Sequence, residues 1–319
     1  MLTSLLGDFS TSLLGSIRGR AFIRAVIIGG IVAFAAFMGL SSIFPIEELV
    51  PIGTLVSTGE SIYRRYNTDN FYPVMIASAV ILVLVIGLIM YFDMKRIRKK
   101  FAVTEDRRRL LLFGNPLFEQ NGESHRNFKV LNSTRGKARA ILRDWWGIAD
   151  KPDVIDTCER LSTAQNHTGF ADDVFNNLIK KGVLKPTLED LQVLSEENAQ
   201  QFDRVKNGIS TFNYAKKHMQ KLGYTEEELM EIDTLAAWDY GRTAFIARYS
   251  AHAKYITEDE AWPHIEAAAD NASAAYGSWR QYLAAYVIGR SVAYGEYLNI
   301  GAKALSEDGL YNSVEFKKG

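Results

Sequence analysis

Two long stretches of the chain carry no charge. Residues 25–44 read AVIIGGIVAFAAFMGLSSIF and residues 74–92 read VMIASAVILVLVIGLIMYF. An apolar run of this length, wound as a helix, crosses the roughly 30 Å hydrocarbon core of a bilayer. The pattern therefore predicts a transmembrane hairpin over 25–92, with spans at 25–44 and 74–92 joined by an external loop at 45–73. Two buried core helices are the competing reading, and uncharged runs this long are rare in water-soluble domains. A cleaved leader is another, but the first apolar core is too long and no small-residue cleavage site follows it. Ahead of the first span, TSLLG occurs twice, at 3–7 and 11–15. Its leucines predict an amphipathic segment over 1–24 lying on the membrane surface.

Beyond residue 133 the pattern changes from continuous apolar runs to amphipathic ones. Helix starts recur: Asp150 ahead of Pro152, Thr187-x-x-Asp190, Thr225-Glu-Glu-Glu228 and Thr257-Glu-Asp-Glu260. No alternating strand pattern interrupts them. The expected fold is mainly α, a two-helix transmembrane hairpin followed by a compact all-α cytoplasmic domain over 134–319. Between them, 93–133 reads as a basic juxtamembrane segment and linker. Its second part, 110–133, holds Gly114, Pro116, Asn121, Gly122 and Ser124 and reads as irregular.

A helix starting at Thr225 and running through AAWDYGRTAFIAR places Leu229, Ile232, Leu235, Ala236, Thr243 and Ile246 on one arc. Asp239 falls near the centre of that arc. Trp238, Arg242, Phe245 and Tyr249 form an adjoining, mostly aromatic face. The helix in GSWRQYLAAYVIGRSVAYGEYL has the converse arrangement, with Arg290 in the middle of a face built from Trp279, Leu283, Tyr286, Tyr294 and Tyr297. A lone buried charge costs several kcal/mol, so each should find a partner. Asp239 is expected to meet Arg290 or Arg242 between packed helices, with aromatic rings covering the guanidinium. The functional alternative is that the same charges line a ligand pocket, because arginine forks bind carboxylates and phosphates.

Charge adds orientation. The formal net charge is zero, but the positive residues are unevenly placed. Arg18, Arg20 and Arg24 precede the first span, and Lys95, Arg96, Arg98, Lys99 and Lys100 follow the second, whereas the loop holds Arg64 and Arg65 against four acids. The positive-inside rule puts both termini in the cytoplasm. The basic run is first a topology determinant; its functional reading is contact with anionic lipid headgroups. It lacks the interleaved aromatics that stack on bases, so no nucleic acid is expected.

Candidate chemistry is sparse. The single cysteine, Cys158, rules out an intrachain disulfide and reads as core. The acidic runs TEEELMEID and TEDEAWPHIE read as helix caps rather than metal clusters, because no ligand-spaced histidines accompany them. Phosphate-loop, nucleophile-elbow, zincin and dinucleotide fingerprints are absent. His167, in QNHTGF, lies at a loop or helix start and reads as a cap or packing group. No metal or cofactor is expected.

Five ordered pieces carry a resemblance: DWWGI at 144–148, CERLSTAQNHTGF at 158–170, AWDYGRTAFIARY at 237–249, YITEDEAW at 255–262 and SWRQYLAAYVIGR at 278–290. Together they resemble the bacterial family called domain of unknown function 1266, over about residues 140–297. The resemblance implies a mostly helical domain and no known reaction. It nominates Trp146, His167, Asp239, Arg242, Trp262, Trp279 and Arg290 as motif positions. Where the usual pattern reads GYI, this chain reads KYI with Lys254, which puts the turn before the second capping box in doubt.

The expected protein is a two-pass protein of the bacterial inner membrane, in contact with membrane lipids. Its cytoplasmic domain is expected to bind a protein partner in an interaction role, regulatory or of the immunity type. The alternative is an enzyme or small-ligand-binding domain with a pocket at His167, Asp239, Arg242 and Arg290. Trp238 and Trp279 complete the candidate set, as the aromatic residues beside those charges.

Overall fold

A computed structural model describes residues 71–165, 168–299 and 309–317. The expected first span, the amphipathic segment and nearly all of the loop 45–73 lie outside the described residues, and so does His167. The described residues form helices and no strand. The chain divides into two compact units, residues 1–100 and 101–319.

In the first unit, helix α1 (Phe71–Lys100) contains the whole of the expected second span and ends on Arg98, Lys99 and Lys100. Its side chains are described from Val80 onward, and over the described residues no helix is long and apolar enough to cross a membrane. Val83, Leu84, Leu88, Tyr91 and Phe92 are nonetheless all exposed on it.

The second unit is built around one helix. Short helices α2 (Glu105–Leu112) and α3 (Asn115–Gln120) come first. Then follow α4 (Arg135–Trp146), α5 (Lys151–Ser162), α6 (Thr168–Val174), α7 (Glu196–Ala199) and α8 (Phe202–Lys221). The last are α9 (Glu226–Met230), α10 (Ala237–Ala253), α11 (Glu258–Ala275) and α12 (Trp279–Tyr294). Every residue of α10 except His252 is buried, because α3, α4, α5, α11 and α12 all pack on it. A helix enclosed on all sides needs no amphipathic stripe. Helix α8 lies instead along α12, where a Cβ added to Gly208 would fall 2.5 Å from the Val292 carbonyl oxygen.

Local signals place the helix starts where the sequence put them. Asp150 accepts from the Asp153 N–H at the start of α5, with Pro152 in the first turn. Thr225 with Glu228, and Thr257 with Glu260, form complete capping boxes, satisfying N–H groups that lack a partner in the first turn. Thr187 and Asp190 bond each other ahead of a single 3-10 turn, Asp190–Val193.

Two expectations are corrected. The helix from Thr225 is two helices, with a break at 231–236. In the break the Asp172 carboxylate accepts from Thr234 Oγ1 (2.7 Å) and the Leu235 N–H (2.6 Å). The Tyr276 hydroxyl donates to Thr234 O and accepts from the Ala237 N–H. These tertiary bonds replace the helical ladder that the local pattern favours. The stretch read as an irregular linker, 110–133, is likewise part of the packed domain. Leu111, Leu112, Phe113, Phe118, Phe128 and Val130 are buried in the core. The chain from Gly122 to Ser133 is held by Glu123, whose oxygens accept from the backbone N–H of Leu131 and Asn132.

Candidate functional site

Asp239 sits in the first turn of α10 with its side chain fully buried. One carboxylate oxygen, Oδ2, accepts from Thr168 Oγ1 (2.6 Å) and from the Thr168 backbone N–H (3.3 Å). Thr168 opens α6, so the carboxylate caps that helix from outside, at its positive end. The other oxygen, Oδ1, forms an ion pair with Nη2 of Arg242, three residues along the same helix face. Arg242 is also fully buried. Its Nη1 donates to the Tyr294 hydroxyl at 2.7 Å, and its guanidinium faces the rings of Trp238, Trp146 and Tyr294 at 5.0, 5.6 and 5.7 Å. Burial lowers the Arg242 pKa to about 10, which leaves it cationic at neutral pH.

Arg290 is not the partner of Asp239. It donates to Gln120 Oε1 (2.9 Å) and to Glu296 Oε2 (2.7 Å), and lies over the Trp238 ring at 5.1 Å. It therefore belongs to the outer edge of the same aromatic cluster. Arg242 takes the carboxylate because it is one helical turn away on the same element. Trp279 lies apart. At the start of α12, eleven residues before Arg290, its indole N–H donates to Val314 O and its ring packs on Phe113, Tyr311 and Phe316. A helix rises about 1.5 Å per residue, so the two lie roughly 16 Å apart along it. The basic residues Lys95, Arg96, Arg98, Lys99 and Lys100 are all exposed at the end of α1.

A second buried arginine was missed by the sequence reading. Arg248, on the opposite side of α10, is fully buried. Its Nε donates to Phe128 O (2.7 Å), its Nη2 donates to Lys129 O (3.0 Å), and Nη2 lies 3.9 Å from Glu123 Oε2. Burial lowers its pKa to about 10 as well. The available signal was Arg248 itself. On a helix buried all round, every charge needs a partner, and Arg248 lies outside the apolar arc and the adjoining aromatic face that the sequence pattern marks. Nearby, His125 points Nδ1 at Asn115 Oδ1 (3.1 Å). Burial first, and then the cations of Arg108, Arg126 and Arg248, lower its pKa to about 3.

The remaining nucleophile candidate is inert by position. Cys158 is completely buried in α5, and burial raises its pKa to about 12. Among the described residues no cluster of three or more His, Cys, Asp or Glu is arranged to hold a metal. A shallow apolar pocket lies between α8 and α12, lined by Met219, Leu222, Tyr224, Leu283 and Val287. It contains none of the Asp239 cluster.

Residues 141–308 match a family model described as "Protein of unknown function (DUF1266)". The chain belongs to the DUF1266 family. No curated protein and no solved structure matches it. The DUF1266 match covers α5 through α12 and the second half of α4, and so takes in Trp146, Thr168, Trp238, Asp239, Arg242, Arg290 and Tyr294. Arg248 lies in the same span, whereas its partner Glu123 lies before it.

Proposed function

We propose that this DUF1266 protein is a membrane-anchored interaction protein whose helical domain binds a protein partner at the cytoplasmic face of a bacterial inner membrane. The observation that carries the anchoring is α1. Its described part exposes Val83, Leu84, Leu88, Tyr91 and Phe92 and then ends in a cationic cluster. Contiguous exposed apolar side chains are costly in water and favourable in lipid. Lys and Arg beyond an apolar helix suit anionic headgroups on the cytoplasmic side. Together with the uncharged run 25–44, this supports two passes with both termini inside.

The interaction role, regulatory or immunity-type, rests on the Asp239 cluster. Asp239 and Arg242 are fully enclosed and bonded to each other, to α6 and to Tyr294. A catalytic carboxylate needs access to substrate. The Asp239 carboxylate, held inside the domain by Arg242 and Thr168, lacks that access and suits a domain that presents a fixed surface. Two experiments test the reading. External protease on intact cells should spare the C-terminal domain; cleavage there contradicts the topology. Affinity isolation of the full chain from detergent-solubilised membranes should recover one stoichiometric protein; a chain that elutes alone at every detergent concentration contradicts the interaction role.

A further inference from the structure

Around Arg242 the buried hydrogen-bond donors outnumber the acceptors. The oxygens of Asp239 are taken by Thr168 and Arg242. Gln120 Oε1 and Glu296 Oε2 are taken by Arg290. Several buried polar atoms have no hydrogen-bond partner among the described residues, and seven of them lie in this cluster. Asp239 Oδ1 and Arg242 Nη2 face each other as the ion pair, which leaves five: Nε of Arg242, Nε of Arg290, the indole nitrogens of Trp146 and Trp238, and the Tyr286 hydroxyl. Buried polar groups in folded proteins are nearly always paired, and each exception calls for a reason.

The five share one neighbourhood. Both guanidiniums lie over Trp238, at 5.0 and 5.1 Å. Trp146 is on Arg242, and Tyr286 meets Trp238 edge-on with ring centroids 5.0 Å apart. Tyr286 is completely buried. Burial raises its pKa, and the cations of Arg290 and Arg242 both oppose that rise. The outer edge reaches solvent, since Tyr294 is 42% exposed and the Glu296 side chain 63% exposed. Glu296 already sets a carboxylate on Arg290, so this edge accepts an oxyanion.

We infer that Arg242, Arg290, Tyr286 and the two indoles form a binding site for a small ligand bearing a carboxylate or phosphate group, which enters beside Tyr294 and takes the place of the Glu296 carboxylate on Arg290. Four of the five unpartnered groups can only donate, and the phenol can do so. Their complement is a group with several acceptor oxygens and negative charge. The inference concerns the domain alone and stands whether or not α1 is in lipid.

The test is calorimetric titration of the full chain in detergent micelles, with inorganic phosphate and with acetate in separate runs, at constant ionic strength in chloride. Saturable binding of either anion is expected, and the one that binds assigns the ligand's class. Loss of one charge-assisted bond should weaken that binding by about tenfold or more in Arg290→Gln. Glu296→Gln, which removes the competing carboxylate, should bind more tightly than wild type. Arg160→Gln, an exposed change paired only with its own helix, should bind as wild type does. Absence of saturable binding by both anions, or equal binding in wild type and a folded Arg290→Gln, would mean that these donors are met by water and would overturn the inference.

Discussion

Asp239 and Arg242 lie one turn apart on α10, and each is buried at the other's side. Removing one charge leaves the other uncompensated in the interior, so Asp239→Asn or Arg242→Met should each lower stability by ~3–5 kcal/mol. Replacing both with leucine should cost less than the sum of the single changes, which thermal unfolding of the four proteins would measure. Lys254 tells a second story. It occupies the left-handed region (φ 68°, ψ 35°) at the end of α10, so the turn that glycine would form is kept at the expense of backbone strain. Lys254→Gly should therefore stabilise the protein by about 0.5–1 kcal/mol, read as a raised Tm. His125 sets a pH dependence. Its folded pKa lies below its ordinary value, so the unfolded chain takes up a proton that the folded one refuses. Its contribution is complete above pH 6.5 and is lost as pH falls toward 3, at up to about 1.4 kcal/mol per pH unit. A His125→Gln variant should show a shallower acid decline in Tm; identical slopes would contradict the assignment. Of these features, the inward direction of Asp239 was legible from the helical wheel. Arg242 was one of the two partners expected for it; the choice between Arg242 and Arg290 was not legible, because a wheel gives direction without distance, and Arg290 turns outward to Gln120 and Glu296.

Helix boundaries were legible where the signal is local. Thr225, Thr257 and Asp150 bond to residues three positions on, so sequence alone locates α9, α11 and α5. The break between α9 and α10 was not, because its bonds come from Asp172 and Tyr276, about sixty residues earlier and forty residues later. The packing of α2 and α3 was hidden in the same way. Gly114 and Gly122 suggested irregular chain, and the carboxylate that holds the segment, Glu123, pairs with an arginine 125 residues away. At this scale the closest approach is testable. Gly208 lets α8 lie directly on the backbone of α12, so Gly208→Ala forces the two helices apart and should lower stability by about 1–3 kcal/mol in the same unfolding measurement. An unchanged Tm would mean that the helices have room the geometry denies them.

For the molecule as a whole, the family read from the sequence is shown by the match over residues 141–308, and a mainly helical fold holds over the described residues, while anchoring and partner binding are proposals that α1 and the Asp239 cluster support. The proposed anchoring rests on the uncharged runs 25–44 and 74–92. The sequence is least explicit about chemistry, because charges on a buried helix satisfy each other in ways that no local motif encodes. The two levels meet in α1, whose exposed apolar side chains are intelligible in lipid and costly in water. The most direct measurement is alkaline carbonate extraction of membranes from cells making the full chain. A spanning hairpin predicts that the protein stays in the membrane pellet, and that a variant with charged residues at Val83, Leu84 and Leu88 is released. Release of the unaltered chain into the supernatant would contradict the anchoring and, with it, the proposed place of action.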